Sequence, residues 1–117
     1  MALSPTQLTL GECKKRKWRA QVVEKYNHHT RRRHDLWGWG DVIVLDGQPG
    51  CLLIQTTIAR HAMDRARKIM NECAESCVDW LEAGNRASVW GWKKQKLGGR
   101  QRWVLKEYPL AIVGSDG

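Results

Sequence analysis

Residues 35–57, DLWGWGDVIVLDGQPGCLLIQTT, are the segment from which the fold is best predicted. Within it, Asp41 to Leu45 and Cys51 to Thr57 are apolar runs of strand length, rich in the branched residues that strands favour. The segment between them, residues 46–50, holds two glycines and a proline and predicts a tight turn. The two runs are therefore predicted to form an antiparallel hairpin, buried on both faces and central in a sheet.

The segment before this hairpin predicts one helix and one strand. A first helix is predicted to begin at Ser4 and Pro5 and to run to about Lys17, because proline is tolerated in the first turn of a helix. Residues 18–26 (WRAQVVEKY) predict a first strand that carries Glu24. The polar and basic residues that follow predict a loop.

Two helices and two further strands are predicted after the hairpin. The helices take residues 59–71 and 74–83, where apolar residues recur at helical spacing. The strands take residues 87–92 and 102–108, which alternate between apolar and polar, and residues 93–100 are predicted to be a polar turn between them.

The length and the order of elements indicate a single α/β domain. A chain of 117 residues has room for one modest core, and the segment after the third strand must cross over before the chain returns to the sheet. We expect residues 1–113 to form one domain with a mixed sheet flanked by helices, and residues 114–117 to form a flexible tail.

Composition also suggests a compartment. The apolar runs are only strand-sized, and the first residues lack the basic-then-apolar order of a secretory signal, so a cytoplasmic protein without a membrane partner is expected. The four cysteines lack the paired spacing of a zinc module, and in a reducing compartment they are expected to be free thiols.

The formal charge of +8 points to a polyanionic partner, since nucleic acid is the usual counterpart of so basic a small domain. The alternative, a charge that serves only solubility, is less favoured because the cations are clustered. His61, Arg65 and Lys68 recur at helical spacing and predict a phosphate-binding face. The predicted nucleic-acid-binding residues are Arg31, Arg32, Arg33, His61, Arg65, Lys68, Lys93 and Lys94.

Asp41 is the residue most in need of a partner, because it stands at the start of a buried apolar strand. Gln55 is polar within the other apolar strand, and a short turn would bring the two to similar levels. A divalent ion could lie between Asp41 and the side-chain oxygen of Gln55, with the carbonyl of Thr56 as a further ligand.

Several blocks of sequence between Leu8 and Tyr108 carry a family pattern, and the most specific is the Asp-Leu-aromatic-Gly-aromatic-Gly-Asp block that ends at Asp41. The others are residues 22–26, 53–57, 61–69 and 80–92. In these blocks the chain resembles the PD-(D/E)XK nuclease superfamily, in particular small phage and bacterial proteins described as Holliday-junction-resolvase-like or VRR-NUC-like.

The resemblance implies a restriction-endonuclease-like α-β-β-β-α-β core, Mg²⁺ or Mn²⁺ as cofactor and DNA as substrate. It assigns Asp41 to the family's invariant metal-binding aspartate and Gln55 to the second metal ligand. Thr57 takes the place of the lysine that positions the attacking water, so a catalytic role for Thr57 is implied only by its position.

Three residues could compensate for the missing lysine. Glu24 could supply a further carboxylate, Asp35 could bind metal near the mouth of the hairpin, and Lys68 could be a relocated cation. Each also has a structural explanation: Glu24 as a solvated strand residue, Asp35 as a turn residue, and Lys68 as part of a solvated or phosphate-contacting helix face.

The leading functional hypothesis is a metal-dependent endonuclease that hydrolyses phosphodiester bonds in DNA, with branched or structured DNA among its candidate substrates. A DNA-binding protein that keeps the fold without turnover is the rival hypothesis. A third is an adaptor whose basic face meets an acidic protein. Symmetric cleavage of a junction would need two sites, so a homodimer is also considered.

Overall fold

The structure is a computed structural model, and it describes residues 3–111, so the predicted tail at residues 114–117 lies outside the described residues. The helices are α1 (Pro5–Lys15), α2 (Ala59–Glu72) and α3 (Ala74–Glu82). The strands are β1 (Arg19–Val22), β2 (Lys25–Asn27), β3 (Arg32–His34), β4 (Val42–Leu45), β5 (Leu52–Ile58), β6 (Arg86–Leu97) and β7 (Arg100–Leu110).

The central sheet has five strands in the order β1-β4-β5-β6-β7. Strands β4 and β5 pair antiparallel, as the sequence predicts for the hairpin, and β5 pairs parallel with β6 after the crossover through α2 and α3. The predicted α/β architecture with a mixed sheet is therefore confirmed.

Helices cover both faces of this sheet. Leu8 and Cys13 of α1 pack with Trp90 and Trp92 in one cluster. Ala62 and other residues of α2 and α3 pack in a second cluster on the opposite face. Six consecutive residues of β5 are buried, because β5 lies between two strands and beneath two layers of helix.

Helix α1 begins where the sequence predicts and ends two residues earlier than about Lys17. Its start is a capping box: Ser4 Oγ accepts from the Gln7 amide at 3.2 Å, and Gln7 Oε1 accepts from the Ser4 amide at 2.9 Å. None of the described helices is long and apolar enough to cross a membrane. The four cysteines are free thiols, as predicted.

The prediction of one strand over residues 18–26 is wrong. The chain leaves the central sheet after Val22, which pairs with the first residue of β4, Val42. Strands β2 and β3 then form a separate two-stranded sheet that includes part of the predicted loop. Glu24 consequently lies in the connection between β1 and β2, not on a strand.

The prediction of a polar turn over residues 93–100 is also wrong. Strands β6 and β7 continue to the pair Leu97–Arg100, and only Gly98 and Gly99 lie between them. Both glycines have positive φ angles, 59° and 82°, which a two-residue hairpin turn requires and which side chains disfavour. The two strands were predicted over residues 87–92 and 102–108, but their outer ends were not, because those ends are exposed and carry no apolar alternation.

Candidate metal centre

Three carboxylates, those of Glu24, Asp35 and Asp41, have oxygens within 4.8 Å of one another. Asp35 is brought opposite Asp41 by a tight turn, in which Leu36 and Gly40 exchange hydrogen bonds of 2.8 and 2.9 Å. We call residues 35–41 the acidic hairpin. Glu24 approaches from the β1–β2 connection, where the neighbouring Val23 amide donates to the Asp41 carbonyl at 2.9 Å.

The acidic hairpin is anchored from below. Trp39 is fully buried, and its Nε1 donates to Ser76 Oγ on α3 at 3.1 Å. At Gly40 a Cβ atom would lie 2.6 Å from the side chain of Leu53, which is also fully buried. The turn can therefore pack this closely on β5 only with glycine at that position.

Asp41 itself stands at an irregularity of the sheet. The register pairs Val42 with Ile54, yet the Asp41 amide also donates to the Ile54 carbonyl at 2.9 Å. Two successive residues thus face one residue of β5, the arrangement of a β-bulge, which turns a side chain away from its regular direction. The Asp41 carboxylate accepts a hydrogen bond of 2.9 Å from the amide of Thr56.

The strand segment that holds Asp41 is fixed by a buried polar network. Thr56 Oγ1 lies 2.8 Å from Thr9 Oγ1 on α1, and Trp92 Nε1 donates to the same Thr9 oxygen at 3.0 Å. These hydrogen bonds join α1, β5 and β6 next to the site. Removal of one partner would leave a buried polar group without a hydrogen bond and would lower the stability of the protein.

The pKa of Asp41 is raised to about 8, chiefly by burial, and the hydrogen bond with the Asp35 side chain acts in the same direction. The Thr56 amide opposes both by stabilising the ionised form, while the charges of Asp35 and Glu24 again favour the protonated form. A carboxyl group that is 5% exposed and faces two other carboxylates therefore holds a proton near neutral pH in the absence of a cation.

The three carboxylates open into a cavity of about 290 Å³, which we call the acidic cavity. Two arginines stand at its wall: Arg33, which also pairs with Glu24 at 3.2 Å, and Arg65 of α2. The lining residues are Ser4, Pro5, Thr6, Glu24, Arg33, Asp35, Asp41, Thr56, Thr57, Ile58 and Arg65.

The approach of α1 to the acidic cavity was not predicted from the sequence. The N-terminus of a helix carries partial positive charge, and Ser4, Pro5 and Thr6 bring that end of α1 to the acidic cavity. The capping box marks where α1 begins, but nothing in the sequence tells which part of the sheet that end approaches.

Some of the predicted site residues lie elsewhere. Gln55 is buried, 4% exposed, and within residues 3–111 it is not among those that line the acidic cavity. The bulge at Asp41 explains this, because it directs the carboxylate towards Thr56 instead of Gln55. Thr57 does line the cavity, whereas Lys68 is exposed on α2 and does not.

The predicted nucleic-acid-binding residues fall on three exposed surfaces. Arg31 and Arg32 lie on the β2–β3 hairpin beside Arg33. His61, Arg65 and Lys68 are exposed on the continuous helix α2, as their spacing predicts. The third surface, with Lys93 and Lys94, is the end of β6 beyond the central sheet.

Chemically, this arrangement suits a hard divalent cation. Clustered carboxylate oxygens are the ligands that Mg²⁺ and Mn²⁺ prefer, and a cation would take the place of the proton that Asp41 otherwise holds. Comparisons of the chain with protein-family models, with curated proteins and with solved structures found no match.

Proposed function

We propose that this chain is a metal-dependent endonuclease that hydrolyses phosphodiester bonds in DNA. The observation that carries the proposal is the convergence of Glu24, Asp35 and Asp41 within 4.8 Å at a cavity walled by Arg33 and Arg65. Carboxylates beside arginines provide both a cation site and anion partners, which is what a phosphodiester requires of a hydrolytic site.

Each group has a chemical role in this proposal. Asp41, Asp35 and Glu24 hold Mg²⁺ or Mn²⁺, and the Thr56 amide keeps the Asp41 carboxylate oriented. When bound, the cation would polarise the phosphate and lower the pKa of a metal-bound water. Arg65 and Arg33 neutralise the phosphate, and Arg33 also balances the charge of Glu24.

The fold supports the same proposal. The order α1, β1, β4, β5, α2, β6, with an antiparallel hairpin followed by a parallel crossover strand, is the one expected of the restriction-endonuclease-like core of the PD-(D/E)XK superfamily. The proposed metal-binding Asp41 directly precedes the second of these strands, as the resemblance implies. In our proposal Asp35 and Glu24, more than Gln55, complete the ligand set.

A second candidate function is DNA binding without turnover. Thr57 lines the acidic cavity where the family pattern has lysine, and among the described residues no lysine lines this cavity. A guanidinium gives up its proton far less readily than an ammonium group, so Arg65 can stabilise charge but is a poor substitute in proton transfer.

The experiment is incubation of linear, nicked and four-way-junction DNA with the protein in Mg²⁺ or Mn²⁺. We expect the wild type to cleave at least one substrate. The cleavage rates of Asp41→Asn and Asp35→Asn should be about 100-fold lower or more, because each substitution removes a carboxylate ligand of the metal ion that stabilises the transition state. Asp79→Asn, an exposed substitution on α3, is the matched control and should cleave normally.

The outcomes separate the two functions. Salt-sensitive binding without metal-dependent cleavage of any substrate would favour the second candidate. Cleavage that persists in Asp41→Asn would overturn the assignment of the site.

A further inference from the structure

Strands β6 and β7 extend well beyond the sheet that holds them. Strand β5 ends at Ile58, which pairs with Trp92, and from Lys93 onward β6 pairs with β7 alone. Five cross-strand pairs follow, from Lys93–Val104 to Leu97–Arg100. At about 3.4 Å per residue this two-stranded segment is roughly 17 Å long. We call residues 93–104 the basic ribbon.

The basic ribbon carries positive charge without opposing charge. It contains no aspartate or glutamate, and residues 93–102 are all exposed. Its cations are Lys93, Lys94, Lys96, Arg100 and Arg102. A two-stranded ribbon on its own gains little stability in water, so a projecting ribbon with this charge is suited to contact with an anionic partner.

The pairing of the two strands keeps these cations apart. Lys93 and Lys94 face Val104 and Trp103, and the remaining three face glutamine or leucine, so no cation stands directly opposite another. Lys94 Nζ lies 5.3 Å from the centre of the Trp103 ring. Because like charges directly opposite each other destabilise a strand pair, this register lets the ribbon hold five cations and remain folded.

The basic ribbon projects from the same end of the sheet as the carboxylates of Glu24, Asp35 and Asp41, which we call the acidic site. Ile58, the last residue of β5, lines the acidic cavity. Ile58 also lines a second cavity, of about 560 Å³, together with Lys93, Lys94 and Trp103 at the base of the ribbon. A ligand that spans both cavities would contact the ribbon and the three carboxylates together.

We infer that the basic ribbon binds in the major groove of double-stranded DNA beside the acidic site. This inference rests on the proposed function for the choice of DNA as substrate, and it adds that duplex DNA must flank the position of cleavage. The major groove of B-form DNA, about 12 Å wide and 8.5 Å deep, admits a two-stranded ribbon. The ribbon is long enough to reach the floor of that groove with its basic sides against the phosphates.

The shape of the ribbon also excludes other nucleic acids. The major groove of an RNA duplex is deep and too narrow for side chains to enter, and a single strand offers no groove. Leu97, which is 45% exposed beside the glycine turn, places an apolar side chain at the tip, where a thymine methyl group is an apolar partner. The ribbon therefore distinguishes a DNA duplex from an RNA duplex by geometry.

The test is equilibrium binding without divalent metal, so that no cleavage is involved. The wild type is compared with a ribbon variant, Lys96→Gln, Arg100→Gln and Arg102→Gln, and with a control variant, Lys14→Gln, Lys15→Gln and Lys17→Gln at the end of α1. Both variants lose three exposed cations. Each protein is titrated with a short DNA duplex, the matching single strand and the matching RNA duplex over a series of salt concentrations.

We expect the ribbon variant to bind the DNA duplex about 10- to 100-fold more weakly at roughly 0.1 M salt, with a log–log salt slope reduced by about 2 to 3. The control variant should lose much less affinity for the DNA duplex. The ribbon substitutions should have little effect on binding of the single strand and of the RNA duplex. A second variant that lacks the cross-strand pairs Gln95–Arg102 and Lys96–Gln101 shortens the ribbon in register and should behave like the first.

Equal losses in the ribbon and control variants would overturn the inference, as would an equal loss for the DNA duplex, the RNA duplex and the single strand. Failure of the proposed nuclease would not, because binding is measured without cleavage. Conversely, if the protein cleaves DNA but the ribbon substitutions do not weaken duplex binding, only this inference is contradicted.

Discussion

At Asp41, the fold places a carboxyl group in a buried position where its ionisation is energetically unfavourable. The residue is 5% exposed and follows the buried Trp39 and Gly40, and besides the Thr56 amide its side chain has another acid, Asp35, as a hydrogen-bond partner. A purely structural role would be served better by an asparagine, which needs no proton and repels no neighbour. Under the proposed function, a cation bound by the three carboxylates would offset the cost of the aspartate.

This cost can be measured as a dependence of stability on pH. The pKa of Asp41 is about 8 in the folded protein against an ordinary value of 3.8, so between these values the folded state holds a proton that the unfolded state has released. Stability contributed by this group is present at low pH and is lost as pH rises towards and through about 8. Asp41→Asn removes the titration.

We therefore expect Asp41→Asn to be more stable than the wild type by up to a few kcal/mol at pH of about 8, and by much less at pH of about 4, when metal is chelated. Chemical denaturation at both pH values measures the difference. Asp79→Asn on the exposed face of α3 controls for removal of one negative charge. A difference between Asp41→Asn and wild type that does not grow with pH would contradict this explanation.

The sequence identified Asp41 for the physical reason that the structure bears out, since a carboxylate at the head of a buried strand stands out in any apolar run. The same reasoning selected Gln55 as its partner on the assumption of a regular hairpin. The bulge at Asp41 breaks that assumption, and a bulge leaves no mark in the alternation of residue types. Asp35 was named as a candidate metal ligand or a turn residue, and the structure places it at the start of a tight turn and close to Asp41.

Among the elements, the acidic hairpin sets the distance between the carboxylates. Its turn depends on Gly40, where an added Cβ would meet the buried Leu53 at 2.6 Å. Because Leu53 is fully buried, an alanine at this position forces either the Leu53 side chain or the backbone that joins Asp35 to Asp41 to shift within a packed core.

We expect Gly40→Ala to lower the free energy of unfolding by about 1 to 3 kcal/mol, as overpacking usually does. Gly11→Ala is the matched control, because no atom lies within 4 Å of its Cβ position and it stands inside α1. There alanine should raise stability by up to about 1 kcal/mol through its higher helix propensity. Chemical denaturation of both variants tests this contrast, and equal effects of the two would show that the close contact at Gly40 is unimportant.

Buried elements were predictable from the sequence, whereas the exposed strands β2 and β3 and the exposed ends of β6 and β7 were not. The β4–β5 hairpin is recognisable from its apolar runs, and helix α2 from the helical spacing of its apolar residues, because burial selects the residue type. Strands β2 and β3 and the basic ribbon bury little, so their polar residues resemble those of loops. Their pairing depends on backbone hydrogen bonds and on glycine turns, which leave a weaker signal in the sequence.

In the domain as a whole, the carboxylates of the acidic site come from separate parts of the chain. Glu24 lies between the central sheet and the small β2–β3 sheet, Asp35 on the acidic hairpin, and Asp41 at the edge of β4. A cation held by all three would join these parts. Arg33 and Arg65 lie at the same cavity, and the net charge of +8 favours the approach of a polyanion to the chain as a whole. Metal binding should therefore be visible in the stability of the entire domain.

We expect Mg²⁺ and Mn²⁺ to raise the melting temperature of the wild type, because a ligand at about 100 times its Kd adds about 2.7 kcal/mol to the stability of the folded state. The cation must displace the proton of Asp41, so its apparent affinity should rise by up to about tenfold per pH unit until the pH passes the pKa of about 8. Thermal denaturation with and without metal, at pH of about 6 and about 8, measures both effects. Asp41→Asn and Asp35→Asn should lose most of the shift, whereas Asp79→Asn should retain it. If neither Mg²⁺ nor Mn²⁺ changes the melting temperature of the wild type at either pH, the three carboxylates hold no metal. That result would also contradict the nuclease proposal.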